Sequence, residues 1–171
     1  MTTVYVDATT LIALGTIDEL DLLEGVGEPL VVLPSVTVEV TTEPARTNLE
    51  RFCDAESVRT DPPIEPGDEQ AQRVLDDGEV NGDVRLVAVV IAHGDAEDVG
   101  IISDDRRVRT VCQGLGATVT GTIGVLVRAV DHGLAADEAQ RILRRLDEHG
   151  LHMTAALRDR ASVLIEDASG R

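Results

Sequence analysis

Val99-Gly100-Ile101-Ile102-Ser103-Asp104-Asp105-Arg106-Arg107 is the stretch on which the fold turns. An unbroken apolar strand is covered on both faces, as in a parallel sheet, whereas a half-exposed strand alternates. Two acids follow the strand at once, and a helical pattern over 104–113 then runs to Gly114. Working outward, Val4-Tyr5-Val6 is a second buried strand, ending in Asp7. It opens onto Leu11, Ile12, Ala13, Leu14, Ile17, Leu20 and Leu22-Leu23, the pattern of one or two helices. Leu30-Val31-Val32-Leu33 reads as a strand stopped by Pro34, with Ser35 placed to cap a helix that carries Val36, Val38, Glu39 and Val40. Val58-Arg59-Thr60 reads as a further strand and Pro62-Pro63 as an interruption. Helices are expected over 67–77 and 83–93, the second so apolar that it should be central. Ala117-Thr118-Val119-Thr120 is another strand, and three helices fill the C-terminal part.

Strands alternating with helices imply parallel crossovers, hence an α/β three-layer sandwich with a central, mostly parallel sheet and extra C-terminal helices. The expected organisation is an α/β domain over 1–133 and a helical extension over 134–171 packed on it. His93-Gly94, His132-Gly133 and His149-Gly150 are placed to close helices. Glycine is a common left-handed cap and histidine suits the dipole there, so no histidine is nominated for chemistry.

Composition narrows the class. At 43% hydrophobic and 27% charged residues the chain is no low-complexity disordered sequence, and its longest apolar run, 86–92, falls far short of the roughly 20 residues of a membrane span. No basic segment with a long apolar stretch stands at the N-terminus, so the expectation is a soluble, cytoplasmic protein. The 32 acidic residues against 15 basic ones, all of them arginine, give a formal charge of -17. Such a lysine-free acidic surface suits a protein from a halophilic source, because in ~1 M salt the Debye length is about 3 Å and self-repulsion is screened. The same screening means that the charge does not decide for or against a nucleic-acid partner. Cys53 and Cys112 lie far apart, without metal-ligand spacing, and read as buried free thiols.

Open parallel sheets bind ligands outside the carboxyl ends of their strands. Acids stand there. Asp7 ends the first strand, Asp104 and Asp105 end the strongest, Glu39 lies on the helix after the second, and Asp83 opens the most apolar helix. Singly, Asp7, Asp104 and Asp105 read equally well as helix caps and Asp83 as a first-turn acid favoured by the dipole. Together they repel one another unless a cation neutralises them, and oxygen donors without His or Cys favour Mg²⁺ or Mn²⁺.

Tyr5-Val6-Asp7-Ala8-Thr9-Thr10-Leu11, then Leu33-Pro34-Ser35-Val36-Thr37-Val38-Glu39-Val40, then Gly82-Asp83, and finally Ile101-Ile102-Ser103-Asp104-Asp105-Arg106-Arg107 resemble the four acidic motifs of PIN domains. Val119-Thr120-Gly121-Thr122-Ile123-Gly124-Val125-Leu126 and Gly133-Leu134 extend the resemblance to a prokaryotic, toxin-like subgroup with extra C-terminal helices. The resemblance implies a metal-dependent endonuclease cleaving single-stranded RNA, with Asp7, Glu39, Asp83 and Asp105 as the acidic set and Asp104 as a substitute or outer member. It also implies an RNA substrate; a small antitoxin partner is a further hypothesis that no residue here specifies, and the oligomeric state, a homodimer included, stays open. Where the subgroup carries Glu after the glycine this chain has the shorter Asp83, and the segment 95–98 is longer than usual.

The residue types suit that chemistry. Carboxylate-held Mg²⁺ or Mn²⁺ stabilises charge on both reacting oxygens of a phosphodiester and acidifies a water to make the nucleophile. Asp7 and Asp105 are expected to coordinate directly, Asp83 to hold a second metal or a water bridge, and Glu39 to orient or deprotonate the water. Arg106, Arg107 and Arg109 sit in the first turns of a helix, where the dipole disfavours cations, so they need partners: neighbouring acids or substrate phosphates. Thr120-Gly121-Thr122 offers either amides for a phosphate or a plain strand-to-helix turn. Other classes stay open. A non-catalytic nucleic-acid-binding or partner-binding module would keep the fold without cutting. An aspartyl-phosphate phosphatase would use Asp7 as nucleophile but lacks a second acid two residues on. A structural α/β protein would bind neither metal nor nucleic acid.

Overall fold

Strand β1 (Thr3–Val6) and strand β4 (Val99–Ile102) are buried at every residue, so neither has a polar face to offer water. Both therefore sit in the middle of the sheet, paired in parallel from Thr3 against Val99 to Val6 against Ile102. The structure, a computed structural model, describes residues 2–27, 29–61, 67–94 and 96–171. Pro62-Pro63 and the start of the 95–98 segment lie outside the described residues. Strand β2 (Leu30–Val31) flanks β1, and β3 (Val58–Arg59) and β5 (Thr118–Thr120) form the edges. Among the described residues the sheet is five-stranded, all parallel, in the order β3-β2-β1-β4-β5.

That order fixes where a site can form. From β1 the chain moves one way across the sheet, to β2, and from β4 it moves the other way, to β5. Right-handed crossovers then send the connecting helices to opposite faces, which opens a crevice beyond the carboxyl ends of β1 and β4. The first helix of each connection starts there: α1 (Ala8–Thr16) after β1, and, after β4, a later helix over Arg106–Gly114.

The remaining helices, in chain order, are α2 (Pro34–Thr37), α3 (Ala45–Cys53), α4 (Asp68–Leu75) and α5 (Gly82–Ala92), then α6, the Arg106–Gly114 helix. After β5 come α7 (Thr122–Asp131), α8 (Ala136–His149) and α9 (Ala155–Ser169). Short 3-10 helices occupy Leu20–Gly25 and Ala96–Asp98. As its composition predicts, α5 is buried on almost every side, from Gly82 and Val84 through Leu86 to Val90. Helices α8 and α9 pack on each other, with α9 also on α7 and α8 on α1. Among the described residues no helix is long and apolar enough to cross a membrane.

Four local expectations are corrected. The second strand pairs only at Leu30–Val31, and Ser35 is not a cap: the helix starts at Pro34, with Leu33 in the cap position and no side-chain bond. Proline suits the first helical residue because the N–H it lacks would find no partner there. Glu39 is also not on that helix. The run of β-branched residues lets α2 extend only to Thr37, and Glu39 follows on a turn closed by its N–H on the Val36 carbonyl at 3.1 Å. Gly94 and Gly133 do take the left-handed conformation after α5 and α7, at φ 68° and 110°, but Gly150, at φ -140°, does not. Its reason is proximity. A Cβ there would stand 3.0 Å from the backbone of Ala13, so glycine lets the end of α8 lie directly on α1.

Candidate active site

Asp7 is 1% exposed, and both oxygens of its carboxylate accept hydrogen bonds. Its Oδ1 accepts the Ala8 N–H at 2.7 Å, capping α1, while Oδ2 accepts the Ser103 hydroxyl at 2.6 Å and the Thr9 hydroxyl at 3.0 Å. Burial raises its pKa above the ordinary carboxylate range. The Ser103 hydrogen bond opposes that shift, and the negative charge of Asp83 adds to it. Asp7 and Asp83, 76 residues apart in sequence (83 minus 7), thus feel each other's charge across the crevice.

Two hydroxyls stitch the ends of β1 and β4 together. Ser103, itself fully buried, donates to Asp7 and accepts the Asp105 N–H at 3.0 Å. Thr9 donates to Asp7 and accepts the Asp104 N–H at 3.0 Å. Asp105 caps α6 through the N–H groups of Arg107 at 2.8 Å and Val108 at 3.0 Å. Asp104 turns the other way. Its carboxylate takes the Thr122 N–H at 3.0 Å and a short bond from the Thr122 hydroxyl, so it caps α7 from outside the helix. The Thr120-Gly121-Thr122 turn therefore spends its Thr122 amide on Asp104.

A second group of acids gathers at the start of α5. Asn81 caps the helix through the Val84 N–H at 3.0 Å and donates to Asp77 at 3.0 Å. Glu39 accepts the Gly82 N–H at 2.7 Å, at the positive end of the helix. A Cβ on Gly82 would fall 2.7 Å from the Glu39 Oε1, so only glycine admits this carboxylate. Asp83 receives the Arg107 guanidinium at 3.1 Å, and the same Nη2 reaches Asp77 at 3.5 Å. Arg109 donates to the Ser103 carbonyl at 2.8 Å, and Arg106 stands exposed on α6.

The structure thus brings Asp7 and Asp83 into one field and sets Glu39 on the residue preceding Asp83. It commits Asp104 to α7 and uses Asp105 as a cap. Among the described residues no three acidic, histidine or cysteine side chains converge as a ready metal cage. Cys112 lies buried in the field of the same two acids. Burial first, then Asp7 and Asp83, push its thiol up to about 12, so it stays protonated and offers no soft thiolate. The donors are all hard oxygens, and the buried, charge-repelled Asp7 is a carboxylate that a cation would relieve. In kind, these residues fit Mg²⁺ or Mn²⁺. Sequence reasoning did not single out Ser103, Thr9 or Asp77. Hydroxyls placed two residues after Asp7 and two before Asp105 were the available signal for the first two. Asp77 carried none, because the partner that sets it apart from the other acids, Arg107, comes from α6.

An all-parallel α/β sheet with carboxylates at the reversal point of its strand order defines a class of protein that handles a ligand at the strand ends. Within that class this chain belongs to the PIN domain family, whose family model matches residues 3–167. No curated protein and no solved structure matches the chain significantly. Membership points to nuclease chemistry and to use of a divalent metal.

Proposed function

We propose that the protein is a Mg²⁺- or Mn²⁺-dependent endonuclease that hydrolyses single-stranded RNA. The observation that carries this reading is the buried Asp7 carboxylate at the β1–β4 crevice, raised in pKa by burial and by Asp83. Asp7, Asp83 and Asp105 would hold the metal. Asp104 is displaced from that set by its two bonds to Thr122. Bound there, the metal supplies a positive charge that stabilises the developing oxyanions and acidifies water. Ser103 and Thr9 hold Asp7 in one orientation. Glu39, fixed by Gly82, takes the proton of the attacking water as its oxygen bonds to phosphorus, and the departing ribose oxygen leaves with the P–O electron pair. Arg106 offers an exposed guanidinium to the phosphate backbone. The resemblance to toxin-like members supports a role as the toxin of a pair, opposed by a small antitoxin.

A second reading, a nucleic-acid-binding or partner-binding module that does not cut, is favoured by one observation: Arg107 already neutralises Asp83. One assay separates the two. Labelled single-stranded RNA and DNA of one sequence are incubated at high salt with and without Mg²⁺ or Mn²⁺, using wild type and Asp7→Asn. The nuclease reading expects metal-dependent cutting of RNA by the wild type alone. Retained RNA binding without turnover identifies the second reading, and equal cutting by both proteins removes the proposed mechanism.

A further inference from the structure

Arg107 is out of place by simple electrostatics. It lies in the first turn of α6, at the positive end of the helix, where a cation is disfavoured. Its own N–H is taken by the Asp105 carboxylate at 2.8 Å, so Asp105 holds the backbone of the residue whose side chain crosses to α5. There the guanidinium sits on Asp83 at 3.1 Å and reaches Asp77 at 3.5 Å. Two of the carboxylates assigned to the metal are thus tied to one arginine, Asp105 through its backbone and Asp83 through its charge. The Arg107 side chain is 48% exposed and that of Asp83 26%, so water reaches the pair, which is exchangeable rather than a buried lock.

We infer that Arg107 is a built-in competitor for the divalent cation: it holds Asp83 while the metal is away and must release it when the metal binds, with Asp77 as the partner that keeps it after release. This rests on the metal-dependent reading above. It makes Arg107 a positioning residue that sets how much metal the site requires. Asp77 gives the displaced guanidinium somewhere to remain, so the exchange costs no unpaired charge. The relation is reciprocal, since whatever draws Arg107 off Asp83 must strengthen metal binding by the same factor.

Mn²⁺ binding tests it directly, followed by electron paramagnetic resonance of the free ion. Salt at about 1 M suppresses adventitious binding to the acidic surface, and Asp7→Asn supplies the background. Wild type, Arg107→Gln and Arg107→Lys are compared after their melting curves show that each is folded. Arg107→Gln should bind Mn²⁺ about tenfold more tightly, the order expected when a unit charge is withdrawn from beside a dication in a partly solvated site. Arg107→Lys, which keeps the charge, should stay within about threefold of wild type. Equal or weaker binding by Arg107→Gln would overturn the competition and leave the nuclease reading standing. Failure of all three folded proteins to bind above background would overturn that reading, and the competition with it.

Discussion

The Ser103 hydroxyl donates to the Asp7 carboxylate at 2.6 Å while accepting the Asp105 N–H at 3.0 Å, so one buried oxygen joins the acids that end β1 and β4. Neither strand end holds its acid alone. Ser103→Ala removes a bond that holds the Asp7 pKa down, so that pKa should rise further. The pH at which Mn²⁺ binding is lost on acidification should then move up, read from Mn²⁺ titrations across pH. Stability should fall by about 1–3 kcal/mol, the usual cost of leaving a buried polar group short of a partner.

Asp7→Asn should abolish cleavage and remove the pH dependence that Asp7 gives to stability. The sign follows from linkage. The folded pKa of Asp7 is raised, so its contribution favours folding below the unfolded pKa and is lost as pH rises through the folded value. Asparagine does not titrate. Melting curves should therefore show the difference between variant and wild type moving in the variant's favour as pH rises through the Asp7 pKa.

Asp104 and Asp105 are adjacent but differ in role. Either alanine variant removes a helix cap, of α7 or of α6, and should cost about 1 kcal/mol in denaturant unfolding. Only Asp105→Ala should also lose metal-dependent cleavage, because both Asp104 oxygens are turned to Thr122 on α7, whereas Asp105 spends only Oδ1 on its cap.

Gly82→Ala would drive a Cβ to 2.7 Å from the Glu39 Oε1. Displacing Glu39 should lower cleavage at least tenfold, with a stability loss of about 1–3 kcal/mol. The clash is with a side chain, so adding Glu39→Ala should restore most of the stability and none of the activity. A double-mutant cycle in urea reads this coupling.

Gly150→Ala tests packing far from the carboxylates in sequence. Its Cβ would meet the Ala13 backbone, which has no rotamer to yield, so a loss of about 1–3 kcal/mol is expected with unchanged cleavage per folded molecule.

What was legible in the sequence was whatever depends on neighbours along the chain. The apolar runs at Val4–Val6 and Val99–Ile102 announced central parallel strands, and the acid after each followed from that placement. Glu39 falls on a turn rather than on the helix its spacing predicts, because proline, serine and β-branched residues favour different elements around 34–40 and tertiary packing decides between them. Gly150 looked like a cap because a Gly after His at a helix end is a local signal, while the contact with Ala13 that requires it is not. The Arg107–Asp83–Asp77 exchange was illegible for the same reason. With acids this abundant, an arginine's partner is chosen by how α5 and α6 face each other, and no spacing in the chain records it.

Anomalous scattering from crystals of the wild-type protein soaked in Mn²⁺ tests most directly that Asp7 and Asp83 form one cation-seeking pair. The predicted result is a peak at the carboxyl ends of β1 and β4 in contact with both carboxylates, with the Arg107 guanidinium withdrawn toward Asp77. Peaks confined to surface acids, with Asp7 still bound only by Ala8, Thr9 and Ser103, would contradict it.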